Sequence, residues 1–206
     1  MLQTFEYIPR NGIYYAQAFA LIDNMPEEQR LFFYSSDDDC TNFVSQCVWA
    51  AYGGWLPGFT EEIAAKNSQL ILKNVRQVSG VWYGSKHHIG SNKWCRVEEF
   101  CAFVSSKNNP QGPNAHLVAD GDFNSISPAT IKKGDVIQMI VKSYTPDRFG
   151  HSLYVTTEGA EWSDVHICCH TYNRLNAPMT VFSSFPEIYS RLRVLRFSSA
   201  VFNTNL

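Results

Sequence analysis

Hydrophobic residues in the first half of the chain recur at helical spacing. Tyr15, Phe19 and Ile22 fall at i, i+4 and i+7, which predicts a helix over residues 12–23 with one buried face. Capping residues, glycine stops and the same periodicity predict three more helices. They run from Cys40 to Tyr52, from Thr60 to about Lys73, and from Asn92 through Val104. The first half of the chain is therefore predicted to be mostly helical.

After Gly134 the pattern changes to short runs of β-branched and apolar residues, which are typical of strands. The four predicted strands are 136–141, 151–157, 165–170 and 192–197. Asn, Gly and Pro residues between 107 and 128 predict a long surface loop. Helices followed by strands indicate an α+β fold, with N-terminal helices packed on a C-terminal antiparallel sheet.

Composition and charge narrow the class of protein. With 206 residues, 45% of them hydrophobic and 14% aromatic, the chain can bury one core, and we expect a single domain over residues 1–206. The net charge is -2 and no stretch interleaves basic and aromatic residues, which argues against a nucleic-acid partner. The sequence does not fix the oligomeric state.

The sequence also bears on the compartment. The N-terminus has no basic, apolar leader and no window approaches the ~18 apolar residues of a membrane span, so we expect a cytoplasmic protein without a membrane partner. A chain trimmed of its signal would look the same and would be secreted. Six cysteines without a Cys-x-x-Cys spacing favour a reduced state.

Cys40 lies at the predicted start of the second helix, on one face with Phe43, Val44 and Cys47. The first N–H groups of a helix are unpaired and lie at its positive end, so they lower the pKa of a thiol and can hold an oxyanion. A nucleophilic cysteine needs both properties, although many buried cysteines at helix starts only pack. Asp39 before it is expected to cap the helix, with a role in the oxyanion region as the alternative.

A nucleophilic cysteine also needs an imidazole nearby in space. Of six histidines, His151 follows Gly150 and opens a predicted strand, so its ring is expected beside a loop where it can face a cleft. The Cys40 sulfur and the His151 ring are then expected within hydrogen-bond reach. The alternative is a strand-edge histidine bonded to a turn carbonyl.

The motifs together resemble those of the putative amidase domain family of Gram-positive bacteria, over about residues 12–175. They are Asp39-Cys40-Thr41-Asn42-Phe43-Val44-Ser45-Gln46-Cys47, Trp82-Tyr83, Trp94 with Phe100, Gly134-Asp135-Val136-Ile137-Gln138, His151-Ser152 and Cys169-His170-Thr171. That family is similar to the NlpC-type and CHAP peptidoglycan hydrolases, which carry a papain-like site. The resemblance implies a papain-like fold and a cysteine hydrolase that cleaves an amide, such as a cell-wall peptide, through a thioester on Cys40. It implies no metal or organic cofactor.

The hydrolases that the chain resembles use a third residue, from the strand after the histidine strand, to orient the histidine ring. His170 fits this place, and period-2 alternation puts it on one face with His166 and Cys168. Asn173 is the alternative, acting as a papain-like asparagine through its amide oxygen.

The remaining polar and aromatic residues could in principle form a metal site or a substrate groove. His87-His88, the aspartates before Cys40, and Cys168 with its neighbouring histidines lack structural-zinc spacing, so no metal site is expected. Cys40, His151 and His170 together could hold zinc only as an inhibitor. Trp82 and Tyr83 are candidates for a substrate groove, although aromatic pairs more often pack in cores.

Two other functions share these residues. One is a binding module that keeps the fold without turnover, which an intact Cys40 and His151 argue against. The other is an acyltransferase, in which an amine rather than water attacks the thioester on Cys40. Sequence does not separate hydrolase from acyltransferase, because the nucleophile chemistry is the same.

Overall fold

The computed structural model of the protein describes residues 1–60, 62–63, 82–85, 90–107 and 111–203. Five α-helices lie in these ranges, and we name them α1 to α5: Pro9–Phe19, Cys40–Ala51, Asn92–Cys95, Val97–Val104 and Thr180–Ser183. The seven strands are β1 Leu2–Phe5, β2 Gly112–Gly121, β3 Val136–Val141, β4 Phe149–Thr157, β5 His166–Cys169, β6 Arg174–Pro178 and β7 Tyr189–Asn203. Short 3-10 turns span Ile22–Asn24, Glu27–Gln29 and Pro128–Thr130.

The strands form one seven-stranded sheet in the order β1-β7-β3-β4-β5-β6, with β2 also paired to β7. Every pairing is antiparallel. The mixture of helices with an antiparallel sheet confirms the predicted α+β class. No helix among the described residues is long and apolar enough to cross a bilayer.

Each face of the sheet covers its own hydrophobic core. Along β4, Tyr154 belongs to the cluster under the helices, whereas Leu153 and Val155 belong to the cluster on the opposite face. This alternation is the period-2 geometry of a strand. Helices α1 and α2 therefore pack on one face only, and α5 contributes Phe182 to the other.

At Gly12, helix α1 lies close to the backbone of α2 and to the side chain of Tyr154 in β4. A Cβ at this position would overlap the Tyr154 hydroxyl and lie 2.8 Å from the Cys47 carbonyl oxygen. The Tyr154 hydroxyl is itself 2.9 Å from the Tyr7 hydroxyl. Glycine at position 12 thus lets α1 pack closely against α2 and the Tyr154 side chain.

Helix boundaries differ from the predictions where local signals compete. The first helix ends at Phe19 and Ile22 falls in a 3-10 turn, while α2 begins at Cys40 as predicted and ends at Ala51, one residue early. The predicted fourth helix is two helices, because Arg96 between them is extended at φ -110°. The predicted helix from Thr60 lies almost wholly outside the described residues.

The prediction of a surface loop over 107–128 is wrong, because strand β2 lies within it. Its residues are mostly half-buried or exposed, and it contains Gly, Pro, Asn and Asp, which are depleted in strands. Pairing with β7 from Gly112 to Gly121 holds it in place. Strand β1 was not predicted either, since three of its four residues are exposed.

Candidate active site

The polar residues at the start of α2 attach it to its surroundings. Asn42 Nδ2 donates to the Phe33 carbonyl oxygen at 2.8 Å, and Asn42 Oδ1 accepts from Trp94 Nε1 at 2.6 Å. Ser45 Oγ donates to the Trp94 carbonyl oxygen at 2.8 Å and accepts from Trp82 Nε1 at 3.1 Å. These buried contacts account for two polar members of the string that the resemblance rests on.

Thr41 attaches the same helix to the sheet. Its hydroxyl lies 2.9 Å from the Ser152 hydroxyl, which also accepts from Gln138 Nε2 at 3.2 Å. Ser152 directly follows His151 in β4. These hydrogen bonds therefore fix the position of α2 relative to the start of β4, which carries His151, the predicted base.

Cys40 lies at the floor of a cavity of about 640 Å³. The cavity is lined by Asp37, Asp38 and Cys40, by residues 95–99, by residues 144–145 and 148–150, and by Thr171 and Tyr172. The Cys40 side chain is 2% exposed, and its sulfur lies 3.9 Å from the Gly150 carbonyl oxygen. A space of this size accommodates a small molecule or a few residues of a peptide.

The Cys40 sulfur sits against an unpaired edge of β4. Pairing with β5 begins at Tyr154, whereas the sulfur contacts the carbonyl of Gly150 and the backbone N–H of Ser152. These two backbone groups lie on either side of His151. The structure thus brings the predicted nucleophile to the main chain of the predicted base.

Burial controls the protonation of this cysteine. Desolvation raises the pKa of the Cys40 thiol from 9.0 to about 11, against the lowering effect of the Ser152 N–H and the Thr41 hydroxyl. The expected lowering of the Cys40 pKa is therefore wrong. A helix end contributes about 0.3–1 kcal/mol, less than the roughly 1.36 kcal/mol of one pKa unit, so the effect of burial outweighs it. Burial also raises the pKa of each of the other five cysteines.

His151 is buried near the start of β4, and its ring lies on the face of the sheet opposite helices α1 and α2. It pairs with Met139 across the strands, and its ring centroid lies 6.1 Å from that of Phe182 in the second core. The predicted hydrogen bond to the Cys40 sulfur is not formed through Nδ1, because this atom is buried and has no partner among the described residues. An unpaired buried imidazole nitrogen requires an explanation, since such atoms are normally hydrogen-bonded.

Burial lowers the pKa of His151 from 6.5 to about 4, and the positive charge of Arg174 acts in the same direction. The ring is therefore neutral near pH 7. A neutral imidazole can accept a proton, as a general base must. Burial thus favours the uncharged form of both groups, the Cys40 thiol and the His151 ring.

His170 does not orient the His151 ring. Its Nδ1 lies 2.5 Å from Asp39 Oδ2, and its Nε2 lies 2.8 Å from the Phe19 carbonyl oxygen. The ring stacks on Phe43 with centroids 4.0 Å apart. Both nitrogens are thus used elsewhere, and the predicted orienting role of His170 is wrong. As predicted, His170 and Cys168 face the helices, whereas Cys169 faces the second core.

Asn173 has other partners as well. Its amide nitrogen donates to Asp23 Oδ2 at 2.5 Å and to the Tyr34 hydroxyl at 3.2 Å. The amide oxygen is buried without a hydrogen bond to any described residue. Asn173 therefore binds the segment that follows α1 rather than the ring of His151.

Asp39 occupies the position before α2 but its carboxylate does not cap the helix. Oδ1 accepts from Asn42 Nδ2 at 2.8 Å and from the Ser35 backbone N–H at 3.2 Å, while Oδ2 faces His170. The predicted capping role is therefore wrong. Since both oxygens are occupied, the alternative role at an oxyanion is not supported.

The predicted groove residues belong to the core. Trp82 is 0% exposed and packs on Trp94 with ring centroids 4.5 Å apart. Tyr83 is half-buried against the same cluster and does not line the cavity at Cys40. The two aromatic side chains therefore contribute to core packing and do not form a groove at Cys40. Among the described residues no three His, Cys, Asp or Glu side chains converge as metal ligands, and His87 and His88 lie outside those residues.

Sequence reasoning missed two tyrosines at the cavity. Tyr144, in the connection from β3 to β4, is 51% exposed, and Tyr172, in the turn from β5 to β6, is 80% exposed. Neither lies in a motif or a periodic segment. The only local signal was their position in turns that flank the predicted strands.

Comparison with known proteins places the chain in a family. No curated protein sequence and no solved structure matches it. Residues 6–192 match the family described as the putative amidase domain, a span that includes Cys40, His151 and every residue that lines the cavity. That match covers most of the chain, and its description indicates amide-bond hydrolysis. The protein therefore belongs to the putative amidase domain family.

Proposed function

We propose that the protein is a papain-like cysteine hydrolase of amide bonds, with Cys40 as nucleophile and His151 as general base. One observation carries the proposal: a buried thiol on the floor of an open cavity contacts the backbone on both sides of His151. The unpaired Nδ1 of His151 supports it, because a base must keep a nitrogen free to accept a proton.

The chemistry starts from two neutral groups. As the Cys40 sulfur forms a bond to the amide carbon, its proton passes to the His151 ring. The ring then gives this proton to the leaving nitrogen as the carbon–nitrogen bond breaks, which leaves a thioester on Cys40. Water attacks the thioester, and the ring takes a proton from water and returns it to the departing sulfur.

Two features of the fold bear on these reaction steps. The unpaired N–H groups in the first turn of α2 lie beside the sulfur and can hold the oxyanion of each tetrahedral intermediate. The His151 ring lies in the second core, so a proton can pass from the Cys40 thiol to it only if the ring rotates around the unpaired edge of β4 toward the sulfur. The edge is open there because β5 pairs with β4 only from Tyr154 onward.

The substrate is an amide in a peptide. The cavity carries the carboxylates of Asp37, Asp38 and Glu99 and the guanidinium groups of Arg96 and Arg148, so it can meet both ends of a zwitterionic peptide. The resemblance to cell-wall hydrolases makes a peptidoglycan peptide the first substrate to test. No metal or organic cofactor enters the proposed reaction.

The test uses an equimolar pool of acetyl-dipeptidyl vinyl sulfones, followed by peptide mapping of the modified cysteine. We expect Cys40 to be modified in the native protein and His151→Ala to slow the modification. Cys95 is the matched control, because it lines the same cavity and is more exposed than Cys40. Modification of Cys95 at the same rate as Cys40, or an unchanged rate in His151→Ala, would contradict the proposal.

A second measurement separates hydrolase from acyltransferase. Peptidoglycan fragments and a peptide library are incubated with the protein, with and without a free amine as a competing acceptor. A hydrolase releases new carboxylates whether or not the amine is present. Products that all carry the added amine would favour the acyltransferase.

A further inference from the structure

The four-residue connection between β5 and β6, residues 170–173, has an unusual backbone at its two central residues. Thr171 and Tyr172 have φ values of 60° and 65°, in the left-handed region. Two consecutive left-handed residues in a short hairpin are typical of a type I′ turn, which strongly favours Asn and Gly. A β-branched Thr and a bulky Tyr are outliers there.

The residues around Tyr172 hold the turn in this conformation. His170 before it is fixed by Asp39 and the Phe19 carbonyl, and Asn173 after it is fixed by Asp23. Thr171 Oγ1 accepts the Asp39 backbone N–H at 3.1 Å. Strained backbone persists only where the surroundings over-determine it, as they do here, and such strain concentrates at functional sites.

Thr171 also connects the turn to the nucleophile. The Asp39 N–H that it accepts belongs to the residue directly before Cys40. The two residues that the sequence suggested as partners of His151, His170 and Asn173, thus flank the turn as its anchors. Any shift of the start of α2 would move the turn as well.

Tyr172 is the one member of the turn that projects into solvent. Its side chain is 80% exposed, and it lines the cavity above Cys40. Tyr144, 51% exposed, lines the same cavity from the connection between β3 and β4. An exposed ring at a position where glycine would fit the backbone better serves no packing purpose. Amphipathic rings of this kind are enriched at contact surfaces.

Resting on the proposed function, we propose that Tyr172 is a specificity-determining residue that contacts the substrate. The strained turn presents its ring to the peptide chain that leads to the scissile amide at Cys40, and Tyr144 offers a second ring. The substrate class is an extended peptidyl amide rather than a small, single amide. A small electrophile reaches Cys40 without touching Tyr172.

The test compares two reagents on the intact protein: the pool of acetyl-dipeptidyl vinyl sulfones and iodoacetamide. In Tyr172→Gly we expect the pool to modify Cys40 about tenfold more slowly, a loss of roughly 1.4 kcal/mol of contact, with the iodoacetamide rate within about twofold of the native rate. Tyr172→Phe keeps the ring and should keep the pool rate. Tyr14→Ala, a half-exposed tyrosine on α1 away from the cavity, is the control and should change neither rate.

A stability measurement separates contact from folding. Gly relieves the left-handed strain, so Tyr172→Gly should melt roughly 2–4 °C higher than the native protein while losing peptidyl reactivity. Should the Gly variant fail to fold, Tyr172→Asn replaces it, because Asn also tolerates this backbone. A pool rate equal to the native rate in the folded variant overturns the inference and leaves the proposed function intact. Failure of the pool to modify Cys40 in the native protein overturns both.

Discussion

Asp39 Oδ2 lies 2.5 Å from His170 Nδ1, and both side chains are fully buried. His170 Nε2 faces the Phe19 carbonyl oxygen, which can only accept, so Nε2 carries a proton. Because Asp39 directly precedes Cys40, the pair fixes the start of α2.

Removal of His170 should therefore lower the stability of the folded protein. His170→Ala leaves a buried carboxylate on Asp39 without its partner, and we expect a loss of about 3–5 kcal/mol in the free energy of unfolding. Urea denaturation measures this loss. The double variant Asp39→Asn with His170→Ala should be more stable than His170→Ala alone, because it no longer buries a charge. His116→Ala, on the exposed side of β2, is the control, and a His170→Ala stability equal to it would refute the role of the pair.

Alkylation of Cys40 should depend steeply on pH. Its pKa of about 11 means that the thiolate is scarce at pH 7, and the iodoacetamide rate should rise about tenfold per pH unit between pH 7 and 10. Stopped alkylation with mass mapping of Cys40 gives the profile. A rate that is flat across this range would indicate a thiolate–imidazolium pair and contradict the neutral pair described above.

His151 should make the protein less stable in mild acid. Its folded pKa of about 4 lies below the unfolded value near 6.5, so between these two values the unfolded state binds more protons and stability falls as pH falls. At pH 5 this one group should cost about 2 kcal/mol relative to pH 8.

The check is urea denaturation at several pH values for the native protein and for His151→Gln, which does not titrate. The difference in unfolding free energy between the two should change by this amount between pH 8 and pH 5. Parallel pH profiles would mean that His151 keeps an ordinary pKa in the fold.

The kinetic effects of the four candidate residues should be unequal. Cys40→Ala and His151→Ala should each lower turnover by about 10³-fold or more, because nucleophile and base act as a unit. In folded His170→Ala a measurable remainder should persist, and Asn173→Ala should lose the least. Rates on the fastest-cleaved amide from a peptide library test this order, with circular dichroism as the check of folding. A turnover in folded His151→Ala equal to that of the native protein would rule out His151 as the base.

The sequence predicted the bounds of those helices and strands that depend on interactions between residues close together in the chain. Helix α2 begins at Cys40 and ends within one residue of its prediction, because Gly53, at φ 94°, ends it. The strand β3 was predicted with its bounds because its residues are nearly all buried. Strand β2 was missed because an exposed edge segment carries no hydrophobic alternation, and only β7 makes it a strand.

The roles of individual polar atoms could not be predicted, because their partners are far away in sequence. Asp39 looked like a cap, yet its partner His170 is 131 residues away. The pKa of Cys40 depends on how much of the chain covers it, which no local pattern records. His170 was placed on the correct face of β5, but which of the groups on that face it binds depends on how α1 packs.

The aromatic packing behind α2 has a spectroscopic consequence. Trp94 donates its indole N–H to Asn42, packs on Trp82, and is followed directly by Cys95 and Arg96, which line the cavity. A ligand that displaces the cavity wall would alter the surroundings of this indole. Its emission would then report occupancy of the site without any added label, so binding could be titrated before any turnover is found.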